Sequence, residues 1–160
     1  MIFMARFFKK FFSVLFIAVS CILCGCATVG EYVYFSDIAQ HKWVPVYVAD
    51  TEDVEVPQNA ETEFGAAHII FSPSEDGYDV RGMSGCNLFH GGMELKGGRK
   101  VEFTRMLKTK RAGKYAGYER KFLQAVSKTR FILRDGEFLY FCSKSGGAEM
   151  AVLKFRKEPL

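Results

Sequence analysis

The stretch Phe131-Ile132-Leu133-Arg134-Asp135-Gly136-Glu137-Phe138-Leu139-Tyr140-Phe141 decides the fold class. Two runs of aromatic and branched residues flank an Asp-Gly pair, which supplies the positive φ angles of a tight hairpin. The pattern repeats on both sides. Gly97-Gly98 separates Met93–Lys96 from Val101–Phe103, and Ser145-Gly146-Gly147 separates Phe138–Phe141 from Met150–Phe155. Upstream, His68–Phe71 is a short apolar strand ended by Ser72-Pro73, and Tyr78, Val80 and Gly82 alternate with Asp79 and Arg81. That period of two belongs to a strand. Successive hairpins build an antiparallel meander rather than βαβ units. The expected fold is mainly β (α+β): a small antiparallel curved sheet or partly open β-barrel with one packed helix.

The helix is read between Tyr118 and Lys128. Tyr118, Phe122, Ala125 and Val126 recur at helical spacing, while Glu119, Arg120, Lys121 and Lys128 take other positions. It is expected to lay its aromatic stripe across one opening or face of the sheet. Trp43–Val48 is β-rich but holds Pro45, the mark of an edge or a strand start. Residues 49–66 are acidic, contain Pro57, Asn59 and Gly65, and read as a long loop.

The N-terminus carries a different signal. Arg6, Lys9 and Lys10 precede an apolar run from Phe11 to Leu23, followed by Cys24-Gly25-Cys26. The apolar run is 13 residues long, within the range of a secretory signal and too short to span a bilayer. The stretch resembles a bacterial lipoprotein signal. The resemblance implies removal of residues 1–25 and lipidation of Cys26, with residues 26–42 as lipidated cysteine and short tether and a main domain over 43–157. Within the tether, the aromatic run Tyr32–Phe35 reads as an early strand packed against the domain, with a place at the membrane interface as the alternative. Ala27 after the lipidated cysteine, rather than Asp, is compatible with the periplasmic face of an outer membrane.

Cleavage changes what composition says. The mature chain has 135 residues, enough for one domain, and its charge falls from +4 to +1. Nucleic-acid binding therefore has no compositional support. The charges are segregated: residues 27–80 hold 11 acidic residues and one base, and residues 81–160 hold 18 bases and 7 acids. Such runs usually mark solvated faces that partly neutralise each other. The sharper alternative is a surface facing anionic lipid through Arg105, Lys108, Lys110, Arg111 and Lys114. Cys86 and Cys142 are the cysteines left beside the lipidated one; an oxidising compartment allows them to pair, and burial as two thiols is the alternative.

The most specific internal segment is Val80-Arg81-Gly82-Met83-Ser84-Gly85-Cys86-Asn87-Leu88-Phe89-His90-Gly91-Gly92. Gly82, Gly85 and Gly91 allow close backbone approach, Asn87 bonds nearby backbone, and Cys86 is small and readily buried. The segment reads as a structural corner of the sheet. With Trp43 before it, and Thr109, Glu119, the helix and the strands to Phe155 after it, it resembles the META domain, the HslJ-like family of small envelope proteins. The resemblance implies a loosely defined envelope or stress role. It departs at Gly113, which stands where the family often has a second cysteine.

No catalytic constellation is apparent. Cys86 and His90 lack a third orienting group. Gly82-Met83-Ser84-Gly85-Cys86 only loosely resembles a nucleophile elbow and lacks its α/β setting. Two ligands do not make a zinc site. No cofactor is expected. The expected function is that of a non-catalytic, membrane-anchored envelope lipoprotein acting through protein contacts in envelope maintenance or stress tolerance. The alternative is a binding module that holds an apolar or amphiphilic ligand inside the curved sheet, where ten mature Phe residues otherwise fill the core.

Overall fold

The alternating segments form ten strands and two helices in a computed structural model that describes residues 33–145 and 148–160. Helix α1 (Phe35–Ile38) precedes β1 (Lys42–Val48). A 3-10 turn (Gln58–Ala60) and two short strands, β2 (Glu61–Thr62) and β3 (Gly65–Ala66), interrupt what the sequence presents as a plain acidic loop. Then come β4 (His68–Ser74), β5 (Gly77–Met83), β6 (Leu88–Lys96) and β7 (Lys100–Lys108). Helix α2 (Ala116–Lys128) leads into β8 (Phe131–Asp135), β9 (Phe138–Ser145) and β10 (Ala148–Glu158).

Eight strands form one antiparallel ring in the order β1-β10-β9-β8-β7-β6-β5-β4. Two seams are narrow. Strand β1 meets β4 only at Lys42↔Ile70 and Trp43↔Ile69. Strand β7 meets β8 at Lys100↔Phe131, reinforced by Val101 N–H to Arg130 O at 2.9 Å and Ile132 N–H to Arg99 O at 2.8 Å. The expected strongly curved antiparallel sheet with one longer packed helix is therefore the fold, and its ring closes through these two short contacts.

The turns follow the sequence. Gly97, Gly98 and Gly136 have φ of 59°, 69° and 57°, the region tight hairpins require. Strands β9 and β10 pair as far as Ser145↔Ala148; Gly146 and Gly147 between them lie outside the described residues. Pro45 is accommodated because β4 has already left that side of β1, and a bulge follows between Pro45 and Tyr47.

The core fills the ring. Trp43, Phe71, Phe122, Phe141 and Phe155 are fully buried together with Ile132, Leu139 and Leu153. The rings of Phe141 and Phe155 lie 4.9 Å apart, and Phe122 reaches Phe89 and Phe155 at 5.8 and 6.2 Å. The helical stripe therefore packs into the ring, and each of these side chains contributes about 1.5–3 kcal/mol. The phenylalanines at 71, 89, 122, 141 and 155 all serve this core.

The packed domain begins earlier than Trp43. Val33 and Ile38 are buried, and Trp43 Nε1–H donates to Ile38 O at 2.9 Å. Val33 N–H donates to Gly98 O at 2.8 Å, Phe35 stacks on Tyr78, and Asp37 pairs with Arg134 at 3.2 Å. The part of the expected tether after residue 32 is thus built into the barrel, because its aliphatic residues find core partners.

Candidate functional site

The connector between β5 and β6 is where the sequence motif becomes geometry. Ser84, Gly85, Cys86 and Asn87 are all buried. Ser84 closes the turn by donating its N–H to Asn87 O at 3.0 Å, and its hydroxyl points at the same oxygen at 3.0 Å. Gly82 precedes the turn because the His68 carbonyl oxygen would lie 2.0 Å from a Cβ there. Gly85 lets the first turn of α2 approach: a Cβ at 85 would stand 3.0 Å from Glu119 Cβ and 3.2 Å from Tyr115 O.

That approach brings a buried carboxylate onto the motif. Glu119 is 2% exposed. It accepts from Cys86 N–H at 3.1 Å, Ser84 Oγ at 3.2 Å, Asn87 Nδ2 at 3.0 Å, and Lys108 Nζ. Asn87 then ties in the strand-to-helix connector. Its Oδ1 accepts from Thr109 Oγ1 at 2.8 Å and Arg111 N–H at 2.6 Å, and its Nδ2 also lies 3.0 Å from Arg111 O. Burial pushes the Glu119 carboxyl up, but bonds from Lys108, Asn87 and the Cys86 amide, with the Lys108 charge, outweigh it. The net effect holds this carboxyl below its ordinary range. Its place in the first helical turn adds the favourable end of the helix dipole.

Sequence periodicity places Glu119 among the polar positions of the helix, away from the aromatic stripe. The structure buries it instead, because the helix N-terminus lies against the corner while its later turns face the core. Thr109 and Glu119, ten residues apart in sequence, join one network through Asn87.

Cys86 is fully buried, with Sγ 3.9 Å from Glu63 Oε2. Burial pushes its thiol pKa up, and the Glu63 charge adds to that. No bond joins Cys86 to Cys142 in the structure; Cys142 lies on β9 opposite Phe131 and Ala151. His90 is exposed on the outer face opposite Arg81 and Leu107, so Cys86 and His90 are not brought together. Gly91 lies on β6, where a Cβ would meet Met106 Sδ at 2.5 Å. Cys26 lies outside the described residues.

The segregated charges meet in the fold. Asp50, Asp53 and Glu55 pair with Lys128, Lys121 and Lys114 respectively, so the acidic segment runs antiparallel beside α2. Among the basic residues considered for lipid contact, Lys108 is bound to Glu119 and Lys114 to Glu55, while Arg111 lies over the Phe64 ring at 5.1 Å. Arg105 and Lys110 are exposed.

The chemistry of the corner is cohesion. One carboxylate gathers donors from four residues and fixes the start of α2 on the β5–β6 connector. The family model of the META domain matches residues 36–157. No curated protein matches the chain. An NMR structure of a protein from Burkholderia xenovorans is similar at 20% identity and a TM-score of 0.49, over 82% of this chain and 93% of that one. With the match running from α1 to the end of β10, the chain belongs to the META domain family.

Proposed function

We propose that this protein is a non-catalytic envelope lipoprotein, held at a membrane through lipid on Cys26, whose META domain acts through protein–protein contacts in envelope maintenance or stress tolerance. The observation that carries the reading is the run of Arg6, Lys9 and Lys10, the apolar segment to Leu23, and Cys24-Gly25-Cys26. Two acyl chains suffice for stable anchoring, since each buried methylene contributes about 0.8 kcal/mol. The non-catalytic half is supported by the corner itself: Glu119, the most deeply buried carboxylate described, is saturated with donors and held ionised. It is positioned to bind the fold together rather than to exchange protons. From Cys26 to Val33 the chain can span at most about 25 Å, so the domain rides close to its bilayer.

The test is fractionation and labelling. Wild-type protein is expected in the outer-membrane fraction, labelled by radioactive palmitate. Cys26→Ser is expected to lose the label and to leave the membrane. Recovery of an unlabelled Cys26→Ser protein in the membrane overturns the anchor.

A further inference from the structure

We propose that the outer face of β4 to β7 is the surface on which this domain docks its partner, and that the partner contributes an extended segment with apolar side chains between carboxylates. This rests on the anchored, contact-making reading above and names the surface and partner chemistry for it.

The surface is a cross-strand row. Strand pairing sets Ile70 opposite Arg81, Arg81 opposite His90, and His90 opposite Leu107, with Lys42 opposite Ile70 at the β1 end. Leu88 lies two residues before His90 on the same face. Leu88 and Leu107 are 51% and 59% exposed, and they flank an open groove of about 670 Å³. The two leucines give the groove apolar walls that an apolar side chain can fill.

The row is also built. Between His90 and Gly92 the β6–β7 register slips, and Arg105 in the slipped segment has φ of 52°. A non-glycine residue there is strained by about 1–3 kcal/mol. The bulge brings Leu107, rather than its neighbour, opposite His90; re-aiming a side chain is the recurrent use of such bulges.

Charge selects the occupant. Among the described residues, the groove is lined by Arg81, His68 and His90, by Lys108, whose charge is paired with Glu119, and by no carboxylate. Burial lowers the pKa of His68, and the Lys42 and Arg81 charges add to that. A ligand is therefore favoured if it brings apolar side chains to the leucines and carboxylates to Arg81 and Lys42. Position favours a protein over the anchoring bilayer. Val33 enters at Gly98, in the β6–β7 turn. The groove lies at the other end of β6, about 20 Å along the strand from Lys96 back to His90 at ~3.3 Å per residue.

The test uses the full-length lipidated protein in its own cells, with a photo-crosslinking phenylalanine at Leu107, at Leu88, or at Val46 as a control on β1. The expected result is one adduct protein shared by positions 107 and 88 and missing at 46. Its crosslinked peptide, mapped by mass spectrometry, is expected to alternate apolar and acidic residues. Arg81→Glu should cut that adduct about tenfold, the scale on which juxtaposed like charges oppose association. Lys144→Glu should leave it intact. Adducts to phospholipid or to a second copy of the chain, equal capture at Val46, no adduct, or indifference to Arg81→Glu each overturn the proposal. Fractionation of the same cells separates the two readings: a membrane-bound protein without the adduct refutes the surface alone, and a soluble protein refutes the anchor.

Discussion

The carboxylate of Glu119, in the first turn of α2, accepts the backbone N–H of Cys86 at 3.1 Å and so joins the helix to the β5–β6 connector. Asn87 and Ser84 donate to the same group. Removing it leaves several buried donors without an acceptor, each worth about 1–3 kcal/mol. Glu119→Ala is expected to destabilise the domain by about 3–5 kcal/mol in urea unfolding, on the scale of other broken buried pairs. Lys108→Ala should cost about 1 kcal/mol or less, because half of that side chain already meets water. Equal losses from the two variants would contradict the network.

Glu119 also sets an acid limit. Its carboxyl is held below the ordinary value of 4.5 in the folded protein. The unfolded chain therefore binds the proton first, and stability present above that value is lost as pH falls through it. His68 acts in a separate window. Burial, with the Lys42 and Arg81 charges, lowers its pKa from the ordinary 6.5, so its contribution is lost as pH falls below that value. Urea midpoints measured across both windows should fall in two steps. Glu119→Gln should flatten the lower step and spare the upper; a variant that keeps the full acid slope would assign it to other groups.

How legible this was depended on which link of the chain carried the information. Asp135-Gly136 and Gly97-Gly98 announced their hairpins because a two-residue turn is a local problem with few solutions. The helix was legible from Tyr118, Phe122, Ala125 and Val126, whose spacing is local too. Glu119 was read with the polar positions because periodicity describes one helix and not what lies against its first turn. Burial there depends on Gly85 and Asn87, more than thirty positions away in sequence. The packing of Val33 and Ile38 was partly visible in their aromatic neighbourhood, but the partners, Gly98 and Trp43, are set by ring closure. The acidic segment read as a plain loop because β2 and β3 are two residues each, too short to show a period.

Gly113 lies against Cys86, and the structure says what a side chain there would meet. A Cβ at 113 would lie 2.8 Å from Cys86 Sγ and 2.2 Å from Glu63 Oε2. The first distance is close to the ~3 Å that separates Cβ from the distal sulfur across an S–S bond of about 2.04 Å. The second is relieved by turning Glu63, an exposed and flexible side chain. Gly113→Cys is therefore expected to form a disulfide with Cys86 in air, seen as a loss of about two mass units and two fewer alkylatable thiols. Two fully alkylatable thiols at these positions would show that the corner does not close as described.

The pairing of Asp50, Asp53 and Glu55 with Lys128, Lys121 and Lys114 makes a prediction about membranes. The carboxylate of each pair is exposed, and pairs screened by water in this way add little stability. Their larger effect is on the field of the helix face, which they neutralise. Replacing the three acids by Asn, Asn and Gln should leave the unfolding midpoint almost unchanged and should uncover Lys121 and Lys128 on α2 and Lys114 just before it. In a Cys26→Ser background, so that the lipid does not dominate, the triple variant should bind phosphatidylglycerol vesicles at least about fivefold more tightly than its parent at low salt. High salt should abolish the difference, because the Debye length shrinks to about 3 Å at 1 M. A parent that already binds as tightly as the variant would mean that Arg105 and Lys110 govern the surface. The basic run would then face lipid despite its internal partners, and the neutralising role of the acidic segment would be refuted.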